Sequence, residues 1–219
     1  MKEPTYEDEY RYMHLTRINH LISFLARYIN TNSRIGIVGY SIFDSMIRDS
    51  FKNCNFYNII PDTNFITDRN IPKNQIVVYD VTLKHNVEVN PRFDAIIFTE
   101  VLEHLFADDS LILNNISKLL DKEGLLLFSV PNVSAIGKLT DLVFGRNPYM
   151  VKTDILEGSF GGFGHIREYS FREVRNLLSG YFNIIELMGW NDYPNVFNRI
   201  AKFLPKIYAE TIFALCQKL

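Results

Sequence analysis

One run of residues constrains the fold more than any other. Residues 93–132 read FDAIIFTEVLEHLFADDSLILNNISKLLDKEGLLLFSVPN. A short apolar run, Ala95 to Phe98, gives way to the polar residues Thr99, Glu100, Glu103 and His104. Leu111, Ile112, Ile116, Leu119 and Leu120 then recur at helical spacing, and a turn at Asp121 to Gly124 leads into a second apolar run that stops at Pro131. Strand, helix and strand within about forty residues is the size of a βαβ unit with a right-handed crossover. Neither strand alternates apolar with polar, as expected where helices cover both faces of a sheet.

The rest of the chain extends this pattern. Apolar positions Leu15, Ile18, Leu21, Ile22, Leu25 and Ile29 predict an amphipathic N-terminal helix within residues 1–33. Strands are expected over residues 34–38, 56–60, 75–79, 182–187 and 208–215, with helices over 41–51 and 195–203. Ser170 followed by Glu173 reads as a capping box opening a helix to Leu178. Residues 133–165 change character: glycines interleave with Phe144, Tyr149, Phe160 and Phe163. Stretches of this kind serve as lids or binding segments, or carry short helices of their own. The expectation is one α/β domain over residues 1–219 with a largely parallel sheet.

Composition excludes several classes. At 219 residues with 47% apolar and 22% charged, the chain has the material for one sizeable core. A net charge of -2 provides no global field for nucleic acid, so nucleic-acid binding is not expected. Cys54 and Cys216 form no CxxC, which fits a reducing, cytoplasmic compartment. No apolar run reaches the roughly 18 residues that span a bilayer, and the acidic N-terminus does not resemble a signal peptide.

In parallel sheets ligands bind beyond the carboxyl ends of the strands, so the residues just after each strand are the informative ones. Gly39, Tyr40 and Ser41 follow the first strand, Asp62 the second, Asp80 and Val81 the third, and Thr99 and Glu100 the fourth. An acidic residue about 20 positions past a glycine turn is the usual partner of a ribose diol. Asp80 is placed to accept from an adenine amino group. Taken alone, Asp62 reads first as a Pro-Asp turn residue, and Asp80 has a helix cap or turn as its alternative; the strand-end polar groups in succession suggest an adenosine-bearing ligand.

EVLEHL, the Lys-Glu-Gly turn, LLLFSVPN and the later GHIREYSFREV resemble the class I S-adenosylmethionine-dependent methyltransferases. The likeness is strongest to the subgroup that includes ubiquinone-pathway O-methyltransferases and small-RNA 2′-O-methyltransferases. The resemblance implies a Rossmann-like sheet of seven strands in the order 3-2-1-4-5-7-6, the last antiparallel, with helices on both faces, and S-adenosyl-L-methionine as cofactor. The family's first strand carries an acid followed by G-x-G-x-G, where this chain has Ile37, Gly39, Ser41 and Phe43, with Asp44 just downstream. A methyltransferase-like binding domain without activity is the alternative that this loop leaves open.

Glu100, Glu103 and His104 form E-x-x-E-H, and a helix starting near Glu100 would put all three on one face. With His165, the resemblance implies a site for Mg²⁺ or Mn²⁺ that would grip acceptor hydroxyls. On the other reading Glu100 faces the cofactor, Glu103 is solvated, and His104 or His165 is a general base. Tyr169, Arg167 and Glu168 are candidates to orient an acceptor, with a plain surface ion pair as the alternative for the last two. His14, His20 and His85 are given no role. The expected activity is methyl transfer to an oxygen of a small-molecule or glycan-type acceptor, with RNA 2′-O-methylation as a further alternative.

Overall fold

The computed structural model describes residues 6–41, 43–62, 71–84, 90, 92–149, 165–191 and 205–219. Seven strands, β1 Arg34–Val38, β2 Asn55–Ile60, β3 Ile76–Val78, β4 Phe93–Thr99, β5 Leu120–Pro131, β6 Phe182–Trp190 and β7 Thr211–Lys218, form one sheet. The order is β3-β2-β1-β4-β5-β7-β6, as the resemblance implies. The pairs from β3 to β5 are parallel, and β7 runs antiparallel to both β5 and β6. Strand order reverses direction between β1 and β4, so the crevice of an open α/β sheet lies at their carboxyl ends.

Helices cover both faces. Ile18, Leu21, Phe24 and Leu25 of α1 (Tyr6–Leu25) and Ile47 of α2 (Asp44–Ser50) pack on Ile35, Ile37, Ile97, Leu127 and Leu215. Ile112, Leu113, Ile116 and Leu119 of α3 (Asp109–Leu119) cover the other face with Val174 and Leu178 of α5 (Phe171–Ser179), over Ile96, Phe98, Leu126, Phe128 and Ala214. Neighbouring residues on one strand, such as Leu126 and Leu127, thus enter opposite cores, which is why the runs show no polar alternation.

Several boundaries move for physical reasons. The helix expected over residues 41–51 begins at Asp44, because the chain leaves β1 through a turn at Gly39, which has φ +80. The expected turn at Asp121 to Gly124 is a bulge inside β5: Phe93 pairs with Leu120, and Ala95 already pairs with Leu125. The last strand runs from Thr211, not residue 208, because Lys206–Tyr208 form a 3-10 turn. Residues 133–149 do carry a helix of their own, α4 (Ile136–Val143). The helix expected over 195–203, His85 and residues 150–164 of the glycine- and aromatic-rich stretch lie outside the described residues.

Candidate active site

The polar break after β4 is a left-handed corner followed by a 3-10 turn. Glu100 has φ +54 and donates its backbone N–H to the Ser129 carbonyl at 3.0 Å. Leu102–His104 make the 3-10 turn, with Leu102 buried as an anchor. The next helix waits until Asp109, capped by Asp108, whose carboxylate accepts from the Leu111 N–H at 2.9 Å. Glu100, Glu103 and His104 therefore do not share a helix face, contrary to the expectation from spacing.

Glu100 lines the same cleft but is not part of the cluster that Glu103 forms with the two histidines. Its carboxylate accepts from the Ser129 hydroxyl at 2.7 Å and pairs with Arg17 of α1 at 3.0 Å. Glu103, by contrast, meets both histidines. The Ile166 N–H donates to the Glu103 carbonyl at 2.8 Å, which pins the GHIREY segment beside the turn. An isolated bridge between Asn132 and Tyr169 fixes the same segment to the end of β5. The His104 and His165 ring centroids stand 5.1 Å apart, and one donor atom each from Glu103, His104 and His165 fall within 4.8 Å of one another.

Glu103 is the unusual member. It is 1% exposed, where one sequence reading had it solvated, and neither carboxylate oxygen has a hydrogen bond among the described residues. His104 Nε2 is 3.8 Å from one of them. Burial, and then the charge of Glu100, pushes its pKa well above the ordinary value. Among carboxylates, a buried one without hydrogen bonds is costly, and a cation is one group that would satisfy it.

A cleft of about 480 Å³ opens over these groups. His14 and Arg17 of α1 form one wall, Gly137 and Lys138 of α4 another, and Glu103, His104 and His165 line it between them. His14, given no role on sequence grounds, is thus at the site, whereas His20 stacks on Trp190 at 3.9 Å. Arg17 and Lys138 were not singled out from the sequence. Arg17 reads as an ordinary polar position of the N-terminal amphipathic helix and Lys138 as one polar residue of the glycine- and aromatic-rich stretch, and no local pattern marks their reach into a distant cleft. Tyr169 joins the histidines only through its backbone: its side chain is buried and its hydroxyl donates to Asp109 at 3.0 Å. Burial and that anionic partner raise the Tyr169 pKa, which suits a framework role.

The residues expected around an adenosine ligand sit along the carboxyl edge of the sheet. Gly39 turns out of β1 at φ +80, and a Cβ added there would meet nothing within 4 Å. Phe43 does not crowd the turn; it is 2% exposed and packs inward among the α1 and β1 side chains. Asn58 of β2, fully buried, donates to the Gly39 carbonyl at 2.9 Å and to Asp44 at 2.8 Å, and it accepts from Arg48 at 2.6 Å. Asp44 in turn accepts from the Ser41 N–H at 3.1 Å. The loop that lacks two glycines is thus held from behind by side chains, and its outer side is open. Tyr40 and Thr99 are half-buried beside it, and Asp62 is exposed just past β2. Asp80 accepts from the Thr82 N–H and hydroxyl at 2.9 and 2.6 Å, the turn role weighed for it, and Val81 is buried.

A family model described as a methyltransferase domain matches residues 19–186. A search of curated proteins gives no match. Among solved structures, the chain is similar to N-methyltransferase NodS of Bradyrhizobium japonicum WM9, in complex with S-adenosyl-L-homocysteine, at 14% identity and TM-score 0.52 over 99% of this chain and 89% of that one. An S-adenosylmethionine-dependent methyltransferase of Mesorhizobium loti is 13% identical at TM-score 0.58, covering 89% of this chain and 96% of that one. One from Methanosarcina mazei is 13% identical at TM-score 0.57, covering 90% and 97%. At such identities the structures speak for the fold, and the family match over most of the length speaks for the rest: the chain belongs to the methyltransferase-domain family and is a class I S-adenosylmethionine-dependent methyltransferase.

Proposed function

We propose that the chain methylates a hydroxyl oxygen of a small-molecule or glycan-type acceptor seated in the cleft between α1 and α4, with a divalent cation held by Glu103, His104 and His165. The observation that carries this reading is the buried Glu103 carboxylate, without hydrogen bonds among the described residues and within 4.8 Å of two imidazoles. One carboxylate and two imidazoles suit Mn²⁺ or Zn²⁺ at least as well as Mg²⁺. Such a cation supplies Lewis acidity that lowers the pKa of an acceptor hydroxyl. S-adenosylmethionine supplies a methyl group already activated on a sulfonium.

The chain's own residues then have three tasks. The Gly39–Ser41 backbone, with Asp62, Asp80, Val81 and Thr99 along the same edge, holds the cofactor, and Gly39 leaves room for close approach. The cleft walls orient the acceptor and exclude water, because methyl transfer rewards in-line positioning above all. The imidazoles receive the hydroxyl proton if no cation is held. Groups placed to take that proton favour oxygen as the acceptor atom, because a neutral amine attacks without a base.

Elemental analysis of the wild type against Glu103→Ala/His104→Ala tests the cation. About one Mn²⁺, Zn²⁺ or Mg²⁺ per wild-type chain, lost in the variant, is expected. Metal-free wild type with full activity would leave the imidazoles as bases and reject the cation. Methyl-labelled cofactor offered with hydroxylated small molecules, glycans and amines tests the acceptor atom. Label recovered only on nitrogen overturns the oxygen assignment.

A further inference from the structure

Beside His165, Lys138 of the cleft wall pairs with Glu168, a carboxylate to which the methyl-transfer reading gives no task. Glu168 Oε1 is 3.0 Å from His165 Nδ1, and the Glu168 side chain is 5% exposed. Its other oxygen, Oε2, accepts from Lys138 Nζ, which comes from α4 and also donates to the Asn132 carbonyl at 3.3 Å. Asn132 is itself fully buried, and its side-chain amide donates to the Ile207 and Ala209 carbonyls at 2.8 and 2.6 Å. So the brace is anchored in the sheet's end and not in solvent.

We propose that Glu168, locked by Lys138, is a positioning residue that selects the Nδ1–H tautomer of His165 and so turns the lone pair of Nε2 toward the cleft. The proposal rests on the reading of His165 as a working residue of that cleft. An ionised carboxylate only accepts hydrogen bonds, so the nitrogen facing it must carry the proton. Lys138 fixes which oxygen faces His165 and keeps the carboxylate charged. An imidazole in water favours the opposite, Nε2–H form, which can neither ligate a cation nor take a proton through Nε2. A carboxylate behind a histidine is a general device for this choice.

Long-range ¹H–¹⁵N spectroscopy of the whole chain in mildly alkaline, metal-free buffer reads the tautomer directly, with His165→Gln used to assign the signal. Wild-type His165 is expected as Nδ1–H. In Glu168→Gln, Lys138 claims the amide oxygen and turns the amide NH₂ toward Nδ1, which must then accept. The tautomer inverts to Nε2–H. A merely structural ion pair predicts no such inversion. Nε2–H in the wild type, or an unchanged tautomer in a folded Glu168→Gln protein, overturns the proposal; the wild-type spectrum decides it even where the variant does not fold. The readout involves neither methyl transfer nor a bound cation, so failure of the oxygen or cation assignment leaves it standing, and its own failure leaves them standing.

Discussion

Glu103 sets function against stability at one residue. Its carboxyl is buried without a hydrogen bond among the described residues, and such a group costs about 1–3 kcal/mol relative to a well-packed apolar one. Glu103→Leu is therefore expected to stabilise the metal-free protein by roughly that amount, read from urea unfolding in the presence of chelator. The effect has a sign in pH. Because the folded-state pKa is raised, the group binds its proton more tightly folded than unfolded, and its contribution is most favourable below the ordinary glutamate value. It is lost as pH rises from there through the folded value. The gap between wild type and Glu103→Leu should widen over that interval in unfolding curves taken across pH, and a gap independent of pH contradicts the assignment. The residue types of this site were legible in E-x-x-E-H and GHIREY, but their arrangement was not. Helical spacing grouped Glu100 with Glu103 and His104, whereas the left-handed corner at Glu100 sends its carboxylate to Arg17 and Ser129.

Two elements position the site, and each carries a test. The capping box of α5 is complete: the Ser170 hydroxyl accepts from the Glu173 N–H, and the Glu173 carboxylate accepts from the Ser170 N–H at 2.8 Å. Ser170→Ala should cost about 1 kcal/mol in urea unfolding. The turn out of β1 is the second. Gly39→Ala should cost about 1 kcal/mol from backbone strain at φ +80 alone, since the added methyl meets nothing within 4 Å among the described residues. Calorimetric titration with S-adenosylhomocysteine should show weaker binding in the same variant, because the methyl enters the space reserved for the ligand. Unchanged affinity would remove Gly39 from the cofactor site. The Ser-x-x-Glu signature and the unbroken apolar strands were readable because each depends on neighbours in sequence. The bulge in β5 was not, because it depends on Phe93 and Ala95 pairing across the sheet with Leu120 and Leu125. Nor did local pattern reveal that Asn58 braces the Gly39 loop; an asparagine inside a strand declares nothing until Gly39, Asp44 and Arg48 surround it.

Across the whole molecule, α1 belongs to the core and to the site at once. Its apolar face packs on the sheet through Ile18, Leu21 and Leu25, while His14 and Arg17 line the cleft. Arg17→Met keeps most of the packing and removes the charge. It should weaken S-adenosylhomocysteine binding about tenfold, the worth of one charge-assisted hydrogen bond in the frame around Glu100. Titration calorimetry measures this, and an unchanged affinity would detach α1 from the cofactor side. The antiparallel β7 and the strand order came from the likeness of EVLEHL and GHIREY to a family, not from any local pattern. Among the described residues no helix is long and apolar enough to cross a membrane.

The left-handed corner at Glu100 carries a lesson for anyone who evolves this protein in the laboratory. A side chain at φ +54 strains the backbone by roughly 1–2 kcal/mol, which glycine would relieve. A library screened for heat resistance alone is pushed toward Glu100→Gly, and each winner has cut the link from Arg17 to the end of β4. A library screened for turnover is pushed the other way. Comparing the survivors of the two screens at this single position would show how much endurance the enzyme gives up to keep its N-terminal helix in touch with its chemistry.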